Sequence, residues 1–513
     1  MEDRFMQLVS NAIEWYAEHS PDRMAVASPT SELTYKELNE TINFWTHYLR
    51  ERGVSASNQV LIFMENDTAF IAAAIALVRM GSAIVFMNTG LSNDEVSKLC
   101  QEIQVDYVLT ERKFSQLEGH CGKSAGKSPH FVYKEPIQAA HDESDPTMYA
   151  ASNTDSEQAQ QWLTFFTSGS TGKPKGITIS KSKLNVAMSS YSLQRPSAYF
   201  LARPLFFRAH FSSLCFMLQE GKTIIVCADA ASQSIYRLIE KYNVSQIISS
   251  PYDLLALVNW MEAEELAFPN SMKEWVSTGT SLHPNVRARL RKFSSSIRLT
   301  NLYGLSEVGA ISMIEHSQWV HKEGSVGRPS FFVKIRIVDE ELNERPIGEK
   351  GEICVSSSFV MDRYFKDDTL NKASFTDGYF RTGDIGYVDA DGYLYIEGRM
   401  DQSINRAGYM FHLAEVENVL RNHGSIEQVA VVRSINEYGL QSPVAFVQPV
   451  RGLDLNARAG LADDLFQYCR DRLSSFKIPD QFVLVEQMPL NEAGKMNTAY
   501  LQRMLIKEGV KAT

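Results

Sequence analysis

The sequence predicts an α/β protein with a large layered α/β N-terminal domain, a β-rich part near its end, and a small α+β C-terminal domain. Three observations carry this. Strand-like apolar runs alternate with helical patterns through most of the first four hundred residues, as parallel strands joined by crossover helices require. From about Gly348 the runs shorten and turn signals multiply. Beyond Gly398-Arg399-Met400-Asp401 helices and strands alternate again on a smaller scale, which places a boundary there and predicts domains 1–400 and 401–513.

The elements follow in chain order. Val60-Leu61-Ile62-Phe63 reads as a strand, Thr68 to Arg79 as a helix and Ala83-Ile84-Val85-Phe86 as the next strand. The apolar stretch Phe70 to Met87 is broken by Arg79, Gly81 and Ser82, so it is a helix turning into a buried strand and no membrane span. Residues 118–157, rich in Ser, Gly, His and Asp, are expected to form a surface excursion. Thr223 to Val226, Ser232 to Tyr242 and Gln246 to Ser249 repeat the strand–helix–strand pattern. Gly351 to Val355 and Gly392 to Ile396, with Asp377-Gly378 and Asp391-Gly392, suggest hairpins. In the last part, Leu413 to Asn422 and Leu461 to Leu473 read as helices, and Gln428 to Arg433 and Gln481 to Val485 as strands. No internal repeat is visible.

A chain of 513 residues is too long for one ordinary core. With 51 basic and 61 acidic residues its formal charge is −10, which disfavours nucleic acid and anionic membrane surfaces as partners. Six scattered cysteines, without C-x-x-C spacing, suggest buried thiols in a reducing compartment and no zinc site. Met1-Glu2-Asp3-Arg4 opens no signal peptide, so a cytoplasmic enzyme is expected. Oligomeric state has no signature.

The most informative segment is Thr167-Ser168-Gly169-Ser170-Thr171-Gly172-Lys173-Pro174-Lys175-Gly176, directly after the apolar run Trp162 to Phe166. Glycines let amide N–H groups converge on anionic oxygens, hydroxyls add donors, and lysines add charge. The P-loop pattern fails, because Gly169 and Gly172 are too close and Pro174 follows Lys173 where a hydroxyl is needed. A flexible linker is the bland alternative, but the β-prone Ile177-Thr178-Ile179 follows at once. A phosphate-binding loop at the carboxyl end of a strand fits where α/β folds hold ligands.

Together with Leu33 to Leu38, Asn301 to Glu307, Tyr379 to Asp384, Gly398 to Asp401 and Asn491 to Lys495, this loop resembles the adenylate-forming superfamily. That superfamily comprises acyl- and aryl-CoA synthetases, nonribosomal peptide adenylation domains and beetle luciferase. The resemblance covers nearly the whole chain and implies ATP and Mg²⁺ as cofactors. It implies that Thr167, Ser168, Ser170, Thr171 and Lys173 close over the departing phosphates, with Gly169 and Gly172 giving close approach. Tyr303 would lie against adenine, Ser306 would touch the α-phosphate and Glu307 would hold magnesium, a hard oxygen ligand for a hard cation. Gly279, Thr280, Asn301 and Gly304 would complete the nucleotide site. Asp384 would take the ribose hydroxyls, Arg399 the ribose or phosphate, and Asp401 would be the hinge pivot. Lys495 would bridge substrate carboxylate and α-phosphate. Taken alone, Asp384 is equally a turn aspartate, Arg399 a surface cation and Lys495 a solvated lysine.

The departures bear on substrate and acceptor. Phe207, in Pro204-Leu205-Phe206-Phe207, stands where CoA ligases of this kind usually carry histidine, and with His210 and Gly279 it is expected to border the acid pocket. No aspartate nearby is suited to an α-amino group, which disfavours an α-amino acid. Arg208 and His210 are expected to make ordinary structural hydrogen bonds rather than to meet a polar substrate group. Gly408 matches a glycine beside the thiol channel, while Asn405 and Ala407 replace a frequent lysine and glycine. Three functions are compatible with these residues. The first is activation of a small carboxylic acid as acyl-AMP followed by transfer to CoA. The second passes the acyl group to the phosphopantetheine of a separate carrier protein or to an amine. The third is an inactive binding protein.

Overall fold

In a computed structural model of the chain, the described residues are 4–91, 93–121, 128–134, 162–167, 175–180, 183, 198–202, 204–227, 231–279, 282, 284–400, 403–406, 409–435, 441–453, 460–473, 475–491 and 495–507. The protein is mixed α/β, with a large N-terminal and a small C-terminal domain. It divides into two compact units, one of Met1–Ile247, Ser306–Gly309 and Ser358–Ala373, the other of Ile248–Leu305, Ala310–Ser357 and Ser374–Thr513.

The first unit is built on a seven-stranded sheet. Its strands Gln59–Phe63, Ala83–Phe86, Tyr107–Thr110, His130–Tyr133 and Trp162–Thr167 run parallel. Near-continuous burial of all but the edge strand His130–Tyr133 is what parallel sheets covered on both faces demand. The crossover helix Thr68–Met80 buries almost every side chain; Asp67 caps its first turn by accepting from Phe70 N at 2.8 Å, and Gly81 ends it at φ +82°. Lys175–Ser180 then pairs antiparallel with Trp162–Thr167, so the phosphate-loop segment joins two adjacent strands of the sheet. Arg363–Tyr364 adds a short outer strand against Lys175–Ser180. A separate parallel set joins Met24–Ala27, Thr223–Val226 and Ala198–Leu201.

The expected excursion over 118–157 is corrected in its described part. Helix Gln116–Cys121 and strand His130–Tyr133 lie there, and Val132 is buried in register with Leu109. The composition of the whole stretch misled, because the short run Phe131-Val132-Tyr133 within it is β-prone and pairs.

In the second unit, Glu274–Thr278 and Arg298–Leu305 pair in parallel. Val333–Val338, Gly351–Ser357, Tyr379–Val388, Leu394–Arg399 and Ser325–Pro329 continue as antiparallel neighbours. The Asp377-Gly378 turn has both residues at positive φ, +46° and +77°, the signature of a two-residue hairpin. The strand expected at Gly392 begins at Leu394, because Gly392 at φ +80° belongs to the turn.

From Ser403 onward the small sheets Ser403–Arg406/Tyr409–His412 and Ile426–Ile435/Gln441–Pro449/Gln481–Leu484 appear. Side chains alternate across the three-stranded sheet with period two. Val429, Val431, Ala445 and Val447 pack with helices Leu413–Leu420 and Leu461–Arg470. Ala430, Val432, Val444 and Phe446 face the other way, onto Leu501, Met504 and Leu505 of helix Thr498–Lys507.

Candidate active site

The segment Asn301–Glu307 changes unit between Leu305 and Ser306, so its two ends are described separately.

In the second unit the central group is Asp384, a 4% exposed residue on strand Tyr379–Val388. Antiparallel register sets Arg399 directly opposite, and Arg399 Nη1 donates to Asp384 Oδ1 at 3.2 Å. Tyr303 Oη donates to Asp384 Oδ2 at 2.5 Å. Burial, and then the Asp384 charge, raises the Tyr303 phenol well above its ordinary value, so it remains a donor. The aspartate is aimed by its own turn: Asp384 N donates to Thr382 Oγ1 at 3.0 Å, and Thr382 Oγ1 donates to Ile353 O at 2.7 Å. Gly383, at φ +69°, makes this bend available.

Two buried polar atoms lie on the strand that carries Tyr303 and on its parallel neighbour. Asn301 Oδ1 and Ser277 Oγ, opposite each other in register on the two parallel strands, find no hydrogen-bond partner among the described residues. Beyond Ser277, Gly279 has φ +91°, and a Cβ built on it would lie 3.9 Å from Lys495 Cε. Lys495 is held by a tight turn in which Lys495 N donates to Asn491 Oδ1 at 2.9 Å and Asn491 N donates to Lys495 O at 2.7 Å. The unit thus brings Lys495 beside Gly279. Strand Leu394–Arg399 is also closely packed at Gly398, where a Cβ would meet Ala414 Cβ at 3.0 Å. His412 Nδ1 lies 3.2 Å from Arg399 O.

In the first unit the central group is Glu307. Its Oε1 accepts from Tyr364 Oη at 3.1 Å, and its backbone carbonyl accepts from Met361 N at 2.6 Å. Arg208, 3% exposed, donates from Nη1 to Ser306 O at 2.8 Å and from Nη2 to Phe359 O. Burial pushes Arg208 down to about 10, against the opposing pull of Glu307 and Asp362, so it stays cationic at neutral pH. Phe207 stands at the start of the same helix, Arg208–Gln219, with its ring 4.6 Å from Phe206 and 6.5 Å from His210. His210 is buried at 7% exposure.

Of the remaining candidates, Thr167 ends its strand, while Ser168, Gly169, Ser170, Thr171, Gly172 and Lys173 lie outside the described residues. So do Thr280, Asp401 and Gly408. Sequence reasoning missed Tyr364, whose hydroxyl touches the candidate metal carboxylate from a strand nearly sixty positions on in the chain; no local pattern announces such a partner. The structural role expected for Arg208 is met by its two carbonyl contacts.

The donors present suit a magnesium–nucleotide. No group of three or more His, Cys, Asp or Glu gathers as a metal cage among the described residues. Glu307 offers one carboxylate with Oε2 unbonded among those residues, the sparse protein contribution that Mg²⁺ takes when phosphates supply the rest. Asn301 Oδ1, unmet among the described residues, is an acceptor for a heterocyclic amino group, and Asp384 presents an aligned carboxylate whose oxygens accept from Tyr303 and Arg399.

Comparison with known proteins agrees. Residues 13–365 match the family described as AMP-binding enzyme, and residues 415–495 its C-terminal domain. A 2-succinylbenzoate–CoA ligase from Bacillus licheniformis is 27% identical over 493 residues, 95% of this chain and 98% of that one. Gramicidin S synthase 2 from Brevibacillus brevis is 26% identical over 94% of this chain, which spans 11% of that protein. The solved amide bond synthetase from Marinactinospora thermotolerans superposes with a TM-score of 0.82, covering 98% of this chain and all of that one, and at 21% identity it shows the shared fold.

Proposed function

The chain belongs to the AMP-binding enzyme family, and from that premise we propose that it is an AMP-forming ligase that activates a carboxylic acid with ATP and passes the acyl group to CoA. The observation that carries this reading is Lys495 beside Gly279, in the unit that also holds Asp384, Arg399 and Tyr303.

Asp384 accepts the ribose hydroxyls while Tyr303 and Arg399 fix its orientation, so the nucleotide meets a carboxylate that is already aligned. Asn301 Oδ1 takes the adenine amino group. Glu307 holds Mg²⁺, which when bound neutralises charge on the phosphates. A carboxylate oxygen of the acid attacks the α-phosphorus, the bond to the bridging oxygen breaks, and pyrophosphate leaves. Lys495 stabilises the charge that gathers between the two reactants, a contribution that needs position and not proton transfer. The CoA sulfur then attacks the acyl carbonyl and AMP departs. Phe207 and His210 border the acid, the hydroxyls and lysine of residues 167–173 handle the pyrophosphate, and the small domain beyond residue 400 turns about Asp401 to bring Gly408 to the thiol.

CoA is favoured as acceptor because the 2-succinylbenzoate–CoA ligase is matched over nearly its full length. The synthase match keeps a carrier-protein acceptor as the second reading. The test is acid-dependent pyrophosphate release across a panel of aryl and aliphatic acids, repeated with CoA, with holo carrier protein and with amines. Acid-dependent release with an acyl-CoA product supports the proposal. Release without any thioester, but with amide or acylated carrier, would replace CoA by that acceptor, and no acid-dependent release would end the reading.

A further inference from the structure

The first turn of helix Arg208–Gln219 breaks two local rules. Phe207 at the N-cap offers no side-chain acceptor, and Arg208 places a cation at the positive end of the helix dipole. Such local conflicts are retained where another requirement overrides them. Here the requirement is visible. One guanidinium, 3% exposed, spans the carbonyls of Ser306 and Phe359, which come from distant parts of the chain. A planar fork reaches two acceptors at once, which a lysine point charge does not.

Ser306 immediately precedes Glu307, and Phe359 opens a strap that runs to Tyr364. The strap grips Glu307 twice, through Met361 N to Glu307 O at 2.6 Å and Tyr364 Oη to Glu307 Oε1 at 3.1 Å. Its other side is anchored independently of Arg208. Asp362 N donates to Thr178 O at 3.0 Å, Ser180 N to Asp362 Oδ2 at 2.7 Å, and Lys183 Nζ to Val360 O at 2.9 Å. Removing Arg208 therefore leaves the strap attached to the sheet and to Glu307, and takes away the anchor on the Ser306 side of the carboxylate, so that Glu307 is held from one side instead of two.

Resting on the reading of Glu307 as the magnesium carboxylate, we infer that Arg208 is a positioning residue for that carboxylate, clamping Ser306 to Phe359 so that Glu307 meets the metal–nucleotide in a fixed place. It touches neither metal nor substrate; it acts through the Ser306 carbonyl.

The experiment is calorimetric binding of α,β-methylene-ATP, a probe that cannot be cleaved to AMP, in excess Mg²⁺ and in EDTA. The ratio of the two dissociation constants isolates the metal-linked part of binding. In Arg208→Met this ratio should fall about tenfold while the EDTA value stays within about twofold, as for loss of one charge-assisted positioning contact. Arg208→Lys should fall between the two. A cooperatively melting Arg208→Met with the parent ratio overturns the inference. Should Arg208→Met fail to fold, Arg208→Lys decides, and the parent ratio in that variant overturns it equally. Glu307→Gln is measured alongside. If Glu307→Gln keeps the ratio, the reading of Glu307 falls and this inference with it. If Glu307→Gln loses the ratio and the Arg208 variants keep it, only the role of Arg208 falls.

Discussion

Asp384 and Glu307 are both carboxylates met by a tyrosine hydroxyl, yet their surroundings are opposite. Asp384 is buried on a strand, with Arg399 fixed opposite by register and Tyr303 closing on its other oxygen. Glu307 sits half-buried on a turn, has Tyr364 on one oxygen, and owes its placement to backbone contacts on either side. The first is a finished site, suited to a neutral group such as a ribose that must be aligned. The second is met on one oxygen among the described residues, which suits a cation that arrives with its own ligands. A site for a neutral group is best completed by the protein; a site for a metal–phosphate is best left incomplete.

The largest break in this contrast is Glu307→Gln. It should lower kcat for acid-dependent pyrophosphate release about 10²–10³-fold while melting behaviour stays unchanged, because little of the fold depends on that side chain. Steady-state kinetics beside a thermal melt check both halves. Asp384→Ala comes next and should show the reverse balance. It removes the buried acceptor shared by the Tyr303 hydroxyl and the Arg399 guanidinium, costing about 1–3 kcal/mol of stability and at least about tenfold in ATP affinity. An Asp384→Ala protein as stable as the parent would mean that the finished site is not structural. The smallest effect separates the two tyrosines. Tyr303→Phe leaves Asp384 with Arg399 and should change ATP affinity less than about threefold. Tyr364→Phe removes the one side-chain hydrogen bond on Glu307 among the described residues and should raise the half-saturating Mg²⁺ about three- to tenfold, roughly one hydrogen bond to a charged group. Mg²⁺ titrations of the two variants give the comparison directly.

The contrast also explains what was legible in the sequence. Val60 to Phe63, Ala83 to Phe86, Thr223 to Val226 and Gln246 to Ser249 were readable as strands because buried parallel strands are unbroken apolar runs. His130–Tyr133 was not, because its short Phe131-Val132-Tyr133 run sits inside a longer stretch rich in Ser, Gly, His and Asp. Asp384, Arg399, Glu307 and Lys495 could be singled out only through short motifs that resemble those of a family, since each taken alone has an ordinary surface reading. Their supports could not. That Arg399 faces Asp384 follows from strand register, that Tyr364 reaches Glu307 follows from a strap closing across the sheet, and neither is a local property. Lys495 beside Gly279 could be named from the motif but not placed by it, since its position depends on how the last turn folds back within its unit.

That placement is the centre of the account, and one variant addresses it. Lys495→Ala should retain Mg²⁺·ATP binding within about threefold while acid-dependent formation of acyl-AMP falls at least about 10²-fold, because a charge used in the transition state lowers kcat and not ground-state affinity. Single-turnover formation of acyl-AMP, measured next to calorimetric ATP binding, gives both numbers on the same protein. Acyl-AMP formed by Lys495→Ala at the parent rate would contradict the account.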